Sequence, residues 1–181
     1  MVKTSKKTIK KSFFEISAPF TSSKISLYGE SPESLAEKTV KLDLTKDLKG
    51  KSLELKLRIK NNNGELRAEP EMIELVGSYI RRVMRKGVDY VEDSFITETR
   101  EGLAQVKPFL LTRKRVSKAI QRALRNETKK FIEVYLKTRT YQEIFSDIIT
   151  NKLQKNLSSK LKKIYPLALC EIRIFSIIKK K

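Results

Sequence analysis

Apolar positions change their spacing several times along this chain, and each change marks an element. Val40, Leu42 and Leu44 alternate with Lys41 and Asp43, and Leu53, Leu55, Leu57 and Ile59 alternate with Glu54, Lys56 and Arg58. A period of two is the spacing of a strand with one buried face. Residues 61–64, Asn-Asn-Asn-Gly, tolerate positive φ and predict a turn into a further strand near 65–69. Shorter strands are expected at 12–17 and 24–28, separated by Ala18-Pro19, where proline ends regular pairing. Residues 28–33, with Gly29 and Pro32, read as a turn.

The spacing then lengthens to three and four. Met72, Val76, Ile80 and Val83 predict a helix opening at Pro70, with Glu71 and Glu74 early and Arg81, Arg82, Arg85 and Lys86 at its far end before Gly87. Residues 88–99 and 103–111 are strand-like, and Arg100-Glu101-Gly102 between them reads as a hairpin connection with Gly102 left-handed. The longest helical pattern covers 111–138. Its stripe is Val116, Ile120, Leu124, Phe131 and Tyr135, flanked by Ala119, Ala123, Ile132 and Val134; Glu127 and Thr128 interrupt it, and Thr112 stands where an N-cap would. Thr140 and Glu143 fit a capping box ahead of Tyr141, Ile144, Phe145, Ile148 and Ile149. Leu153, Leu157, Leu161 and Ile164 predict a third helix, ended by Pro166. The last strand, 167–178, carries Ala168, Cys170, Ile172, Ile174 and Ile178 on one face and must return to the N-terminal sheet to bury it. The order implies an α+β fold. A single domain is expected over 12–178, between a basic arm at 1–11 and a basic end at 179–181.

Charge narrows the function. Among 181 residues, 40 Lys and Arg stand against 21 Asp and Glu, a formal +19. Such an excess repels itself and attracts polyanions, nucleic acid before anionic membrane. Lys6, Lys7, Lys10 and Lys11 lie in an arm without acids. Arg81, Arg82, Arg85 and Lys86 close one predicted helix, and Arg113, Lys114, Arg115, Lys118, Arg122 and Arg125 line the long one. A cationic first turn opposes the helix dipole by ~0.3–1 kcal/mol per group, so Arg113, Lys114 and Arg115 are expected beside phosphate. These fourteen residues form the candidate nucleic-acid-binding set, and a solvated basic face is the competing reading of each group.

Catalysis is poorly provided for. Without histidine, Ser-His-Asp and Cys-His chemistry is excluded, and one cysteine cannot build a zinc site. Cys170, between Leu169 and Ile172, reads as a buried small hydrophobe. Six glycines are scattered without a phosphate-loop pattern. Asp89, Glu92, Asp93, Glu98 and Glu101 could be tested as Mg²⁺ ligands for a nuclease, but they fall on both faces of a predicted strand and read as solvated charges. No apolar run reaches the ~18 residues of a spanning helix, and residues 1–11 are too polar for a secretory signal, so a cytosolic protein is expected. The aromatics Phe13, Phe14, Tyr28 and Tyr90 show no RNP-type spacing; phosphate contact is expected over base reading.

Several segments, in order, resemble the small-subunit ribosomal protein family of archaea and eukaryotes called S-three-Ae, also S-one-e. They are Lys10-Lys11-Ser12-Phe13-Phe14-Glu15-Ile16-Ser17-Ala18-Pro19, Leu42-Asp43-Leu44-Thr45-Lys46-Asp47, Tyr79-Ile80-Arg81-Arg82, Thr99-Arg100-Glu101-Gly102, Ile164-Tyr165-Pro166-Leu167 and Glu171-Ile172-Arg173. The family often has Trp where Phe13 stands, and its Gln- and Ser-rich lead into the basic helix is shortened here to residues 113–117. The resemblance implies an antiparallel, β-barrel-like sheet with packed helices, seated on the platform of the small subunit near the messenger RNA exit. It implies contacts with small-subunit ribosomal RNA and neighbouring ribosomal proteins in the cytoplasmic ribosome, with no catalysis, no cofactor, no small-molecule substrate and no membrane. A DNA-binding or chromatin-architectural protein is the alternative that the same charge would suit.

Overall fold

The alternating runs become strands and most of the longer spacings become helices in a computed structural model that describes residues 11–21, 24–46, 48, 50–62 and 65–178. In chain order the elements are β1 (Ser12–Ser17), β2 (Lys24–Gly29), α1 (Pro32–Leu35), β3 (Thr39–Asp43), β4 (Leu53–Asn62), β5 (Glu65–Leu75), α2 (Gly77–Val83), β6 (Tyr90–Glu92), β7 (Phe95–Glu98), β8 (Leu103–Thr112), α3 (Lys118–Lys137), α4 (Tyr141–Ile149), α5 (Lys152–Leu161) and β9 (Leu167–Ile178). β1 and β2 form a ribbon, and the other strands follow the order β3-β4-β5-β9-β8-β6, with β7 also on β8. The fold is α+β, with β9 returning to the sheet as expected. The path has two ends among the described residues, so the sheet is open and the barrel-like description is loose. The chain divides into two compact units, Met1–Val40 with Leu57–Glu69, and Lys41–Lys56 with Pro70–Lys181.

In the first unit β1 and β2 pair antiparallel, with Ile16 opposite Ile25 and Phe13 opposite Tyr28. Ser31 and Ser34 form a capping box at α1, which buries Leu35. Gly29 makes room for that leucine: a Cβ there would stand 2.9 Å from Leu35 Cδ2. Ile59 and Lys38 join through backbone, as do Glu37 and Ile59, and Arg58 reaches the Glu37 carboxylate at 2.8 Å. Residues 63 and 64, the centre of the expected turn before β5, lie outside the described residues.

In the second unit β9 lies between β5 and β8, with Ile73 opposite Phe175. Lys107 pairs with Ile174 and Pro108 with Ile172, so Arg173 is an extra residue in β9. Proline has no N–H for the ladder, and a bulge is where a strand tolerates it. The bulge switches parity: Ile172 and Phe175 are buried, in place of the unbroken face expected from 168 to 178. Phe175 meets Phe145 of α4 edge-on at 5.1 Å. Against this sheet α3 buries Leu124, Thr128, Ile132 and Leu136, and α4 and α5 bury Ile144, Ile148, Leu153, Leu157 and Leu161. Thr128 continues the stripe it was expected to interrupt, because its hydroxyl donates to the Leu124 carbonyl at 2.7 Å and is satisfied within the helix. Val134, expected beside the stripe, is 74% exposed.

Further corrections concern element ends. Residues 70–75 do not open a helix; they continue β5, with Ile73 and Leu75 inward and Glu71 3.7 Å from Lys56 on β4. Strand pairing to β9 outcompetes the helical spacing there, and the helix is confined to Gly77–Val83. Thr112 is not an N-cap, since residues 111 and 112 remain paired with β9; Ser117 caps α3 instead. Gly102 has no positive φ. Its lack of a side chain serves a close approach, because a Cβ would stand 2.6 Å from the Tyr141 hydroxyl. The capping box of Thr140 and Glu143 at α4 is present. α5 ends at Leu161, short of Ile164.

One polar cluster is sealed in this unit. Lys51 Nζ lies 2.5 Å from Glu171 Oε2, both side chains about nine-tenths buried, and also donates to Asn151 Oδ1 at 2.6 Å. Gln154 adds a hydrogen bond to Glu171 at 3.4 Å and one to the Ile148 carbonyl at 3.0 Å. Beside it, Cys170 is half-buried rather than the fully buried residue expected, and desolvation pushes its thiol up to about 12, as suits an inert residue. Removing one partner of such a pair leaves an uncompensated buried charge, whereas replacing both is mild. In denaturant unfolding, Lys51→Met is therefore expected to cost ~3–5 kcal/mol, and the double change Lys51→Met with Glu171→Leu distinctly less. Equal losses would show that the pair does not act as a unit.

Candidate nucleic-acid interface

The basic loop between β8 and α3 is held from beneath. Thr112, fully buried, accepts the Asp89 N–H at its hydroxyl (3.0 Å) and donates its own N–H to the Asp89 carbonyl (2.9 Å). The same hydroxyl lies 2.7 Å from the carbonyls of both Asp89 and Lys114. Asp89 Oδ2 accepts the Val116 N–H at 2.9 Å and the Gln121 side-chain N–H at 3.1 Å. Two points of the loop backbone, Lys114 and Val116, are thus satisfied inward, and Arg113, Lys114 and Arg115 are exposed. These three residues precede the helix, so the unfavourable position against the dipole falls instead to Lys118, the first residue of α3, whose first turn holds no acid.

The second basic group is positioned by α2. Arg82, in its last turn, donates to the Ser52 hydroxyl at 3.4 Å and lies 5.8 Å from the Tyr79 ring centroid. Burial, and then the nearby Glu171 charge, hold the Tyr79 phenol above its usual range. Arg85 and Lys86 lie beyond the helix, and Gly87, at φ 86°, turns the chain toward Val88 in a conformation that favours glycine. As a result Arg82, Arg85 and Arg113 line one concavity of about 410 Å³, together with Val83, Val88, Leu111, Ala168 and Leu169.

The remaining sequence-predicted residues are dispersed. Lys118 and Arg125 line a separate concavity of about 810 Å³ with Lys107 and the acids Asp89, Glu92 and Asp93. Arg125 reaches the Glu92 carbonyl at 3.5 Å. Arg81, Lys86, Lys114, Arg115 and Arg122 are exposed, and the structure gathers them into neither concavity. Lys11 is exposed, 3.9 Å from Glu30, whereas Lys6, Lys7 and Lys10 lie outside the described residues.

Most of the acids weighed as metal ligands have structural partners instead. Asp89 ties the loop, Glu92 pairs with Arg173, Asp93 accepts the Ser94 N–H at 2.9 Å, and Glu101 accepts the Tyr141 N–H at the start of α4 at 3.0 Å. No group of three or more potential ligands could hold a metal ion among the described residues. No helix of the described residues is long and apolar enough to cross a membrane. Sequence reasoning missed Thr112, Asp89 and Ser52 as supports; apart from the Thr112–Lys114 contact their partners are distant in sequence, and only Ser117, preceding Lys118-Ala119-Ile120, offered a local capping signal.

A comparison with protein families matches residues 2–181. The chain belongs to the Ribosomal S3Ae family. Relatives named small ribosomal subunit protein eS1 include that of Methanothermobacter thermautotrophicus, 28% identical over 133 residues, which span 72% of this chain and 68% of that protein. That of Nanoarchaeum equitans is 26% identical over 184 residues, 92% of this chain and 88% of the relative. That of Haloarcula marismortui is 25% identical over 179 residues, 93% and 83% respectively. The resemblance drawn from the ordered motifs is established, and the relatives are ribosomal components rather than enzymes.

The loop geometry has a measurable consequence. Asp89→Ala leaves the Val116 N–H and the Gln121 amide without their acceptor, at a cost of ~1–3 kcal/mol. Amide hydrogen exchange at Val116 is expected to quicken in this variant. Unchanged protection there would mean that Asp89 does not hold the loop.

Proposed function

We propose that this S3Ae-family protein is a structural constituent of the small subunit of cytoplasmic ribosomes, binding ribosomal RNA on the platform near the messenger RNA exit and touching neighbouring ribosomal proteins there. Family membership supports the ribosomal role, and the relatives carry the name of a small-subunit component. The observation that carries the RNA-binding reading is the convergence of Arg82, Arg85 and Arg113 on one concavity, with no ion pair to a carboxylate among the described residues. Guanidinium groups grip phosphate in a bidentate way and stay charged at any working pH. On this reading residues 12–178 act as one RNA-binding domain, with 1–11 as a basic arm and 179–181 as a basic end.

The fourteen basic residues need not contribute equally. Arg81, Arg82, Arg85, Lys86, Arg113, Lys114 and Arg115 are carried by α2, its exit or the anchored loop, and they are the strongest phosphate contacts. Lys118, Arg122 and Arg125 on α3 come next, with Lys118 and Arg125 partly offset by the acids beside them. Lys6, Lys7, Lys10 and Lys11 add to the general attraction.

The tagged protein expressed in its own cells is expected to sediment with small subunits in a low-salt gradient, and sedimentation as free protein would end the proposal. Binding to a folded fragment of small-subunit ribosomal RNA should exceed binding to duplex DNA at matched salt. Arg82→Ala or Arg113→Ala should weaken RNA binding by roughly tenfold and make the dependence of log affinity on log salt shallower by ~0.7–0.9 for each phosphate no longer neutralised. Larger losses from Lys6 or Lys10 replacements would reverse this ranking.

A further inference from the structure

The concavity ringed by Arg82, Arg85 and Arg113 is not built like a simple phosphate groove. Its remaining lining is aliphatic: Val83 and Val88 from the α2 exit, Leu111 from β8, and Leu169 from β9. An extended sugar-phosphate backbone has no use for such a wall, and an apolar ligand has none for three guanidinium groups. We propose that this site takes one nucleotide extruded from the RNA stack, its phosphate against the arginines and its base against the aliphatic wall. This inference rests on the RNA-binding reading above and deepens it.

Three further observations fit that occupant. The volume of about 410 Å³ falls within the ~300–1,000 Å³ of small-ligand sites, enough for a single nucleotide unit. The wall carries a backbone irregularity: Leu111 pairs with Leu169 but Thr112 with Leu167, so Ala168 bulges out with no partner residue in β8. Such a bulge brings peptide groups to a site where a base edge seeks hydrogen bonds, and bulges are frequent beside functional sites. Finally, the site is preorganised, since Arg113 follows Thr112, whose hydroxyl is engaged on both sides, and Arg82 is steered by Ser52. Sequence-specific RNA recognition depends on unstacked bases, and guanidinium planes can stack on a base as well as hold a phosphate. Base contact thus re-enters without an RNP motif, through aliphatic side chains and arginine rather than aromatic rings.

The test compares three small probes on the full chain: adenosine 5′-monophosphate, inorganic phosphate and adenosine, titrated while amide NMR signals of residues 82–88, 113 and 168–169 are followed. The monophosphate is expected to bind at least ~10-fold more tightly than either fragment, as a site recognising both halves requires. Arg113→Ala should weaken the monophosphate and phosphate together. Val83→Ser and, separately, Val88→Ser should abolish the monophosphate's advantage while leaving phosphate binding intact. Should phosphate bind as well as the monophosphate to the unaltered protein, the site is a plain anion grip and the proposal falls; it falls equally if neither valine change alters the preference. Sedimentation with small subunits is scored separately, so free protein that still prefers the monophosphate would overturn the ribosomal reading alone.

Discussion

Loop 113–116 would have no fixed course if its backbone were not tied to Asp89 and Thr112. A buried hydroxyl and a carboxylate from the entry to β6 satisfy that backbone from below, and the side chains above it have only outward directions left. The same pair sets the end of β8 and steadies the first turns of α3 through Gln121. Arg113 consequently stands beside the α2 exit, where Gly87 has turned Arg85 toward it. Cationic side chains repel one another, and the anchoring bonds supply the constraint that holds such groups in one place without a bound anion.

The acids of the second unit explain why its positive charge is available. Glu171 is sealed with Lys51, Glu92 is taken by Arg173, Glu101 caps α4, and Asp147 is shared by Arg139 at 2.5 Å and the Tyr135 hydroxyl at 2.9 Å. Burial and this carboxylate push the Tyr135 phenol up to about 12. These four acids are spent on folding, close to the cation or backbone group each serves. The exposed arginines near the concavity have no such partner among the described residues.

Much of the architecture was legible because it depends on local pattern. The alternation from Leu53 to Ile59, the capping box of Thr140 and Glu143, and the return of the last strand all follow from side-chain period and end chemistry. What was misread depended on partners far away in sequence. Pro70 and the spacing of Met72 and Val76 suggest a helix until β9 offers Ile73 a strand partner. The face of β9 looks unbroken until Pro108 forces a bulge at Arg173. For the site, residue types and clusters could be named from sequence, but not that Arg82, Arg85 and Arg113 converge while Lys118 and Arg125 face acids, since that sorting is made by the anchored loop and the turn at Gly87.

The half-buried position of Cys170 has a consequence for regulation. Its thiol is lifted to about 12, and the chain holds no histidine, so the two side-chain types that ordinarily titrate nearest neutral pH are withdrawn from that role. The excess of cations is made of lysine and arginine, side-chain types whose ordinary ranges lie well above neutral pH. Its hold on a polyanion is that of a device without a histidine switch, tuned chiefly by the ions that compete for the same phosphates.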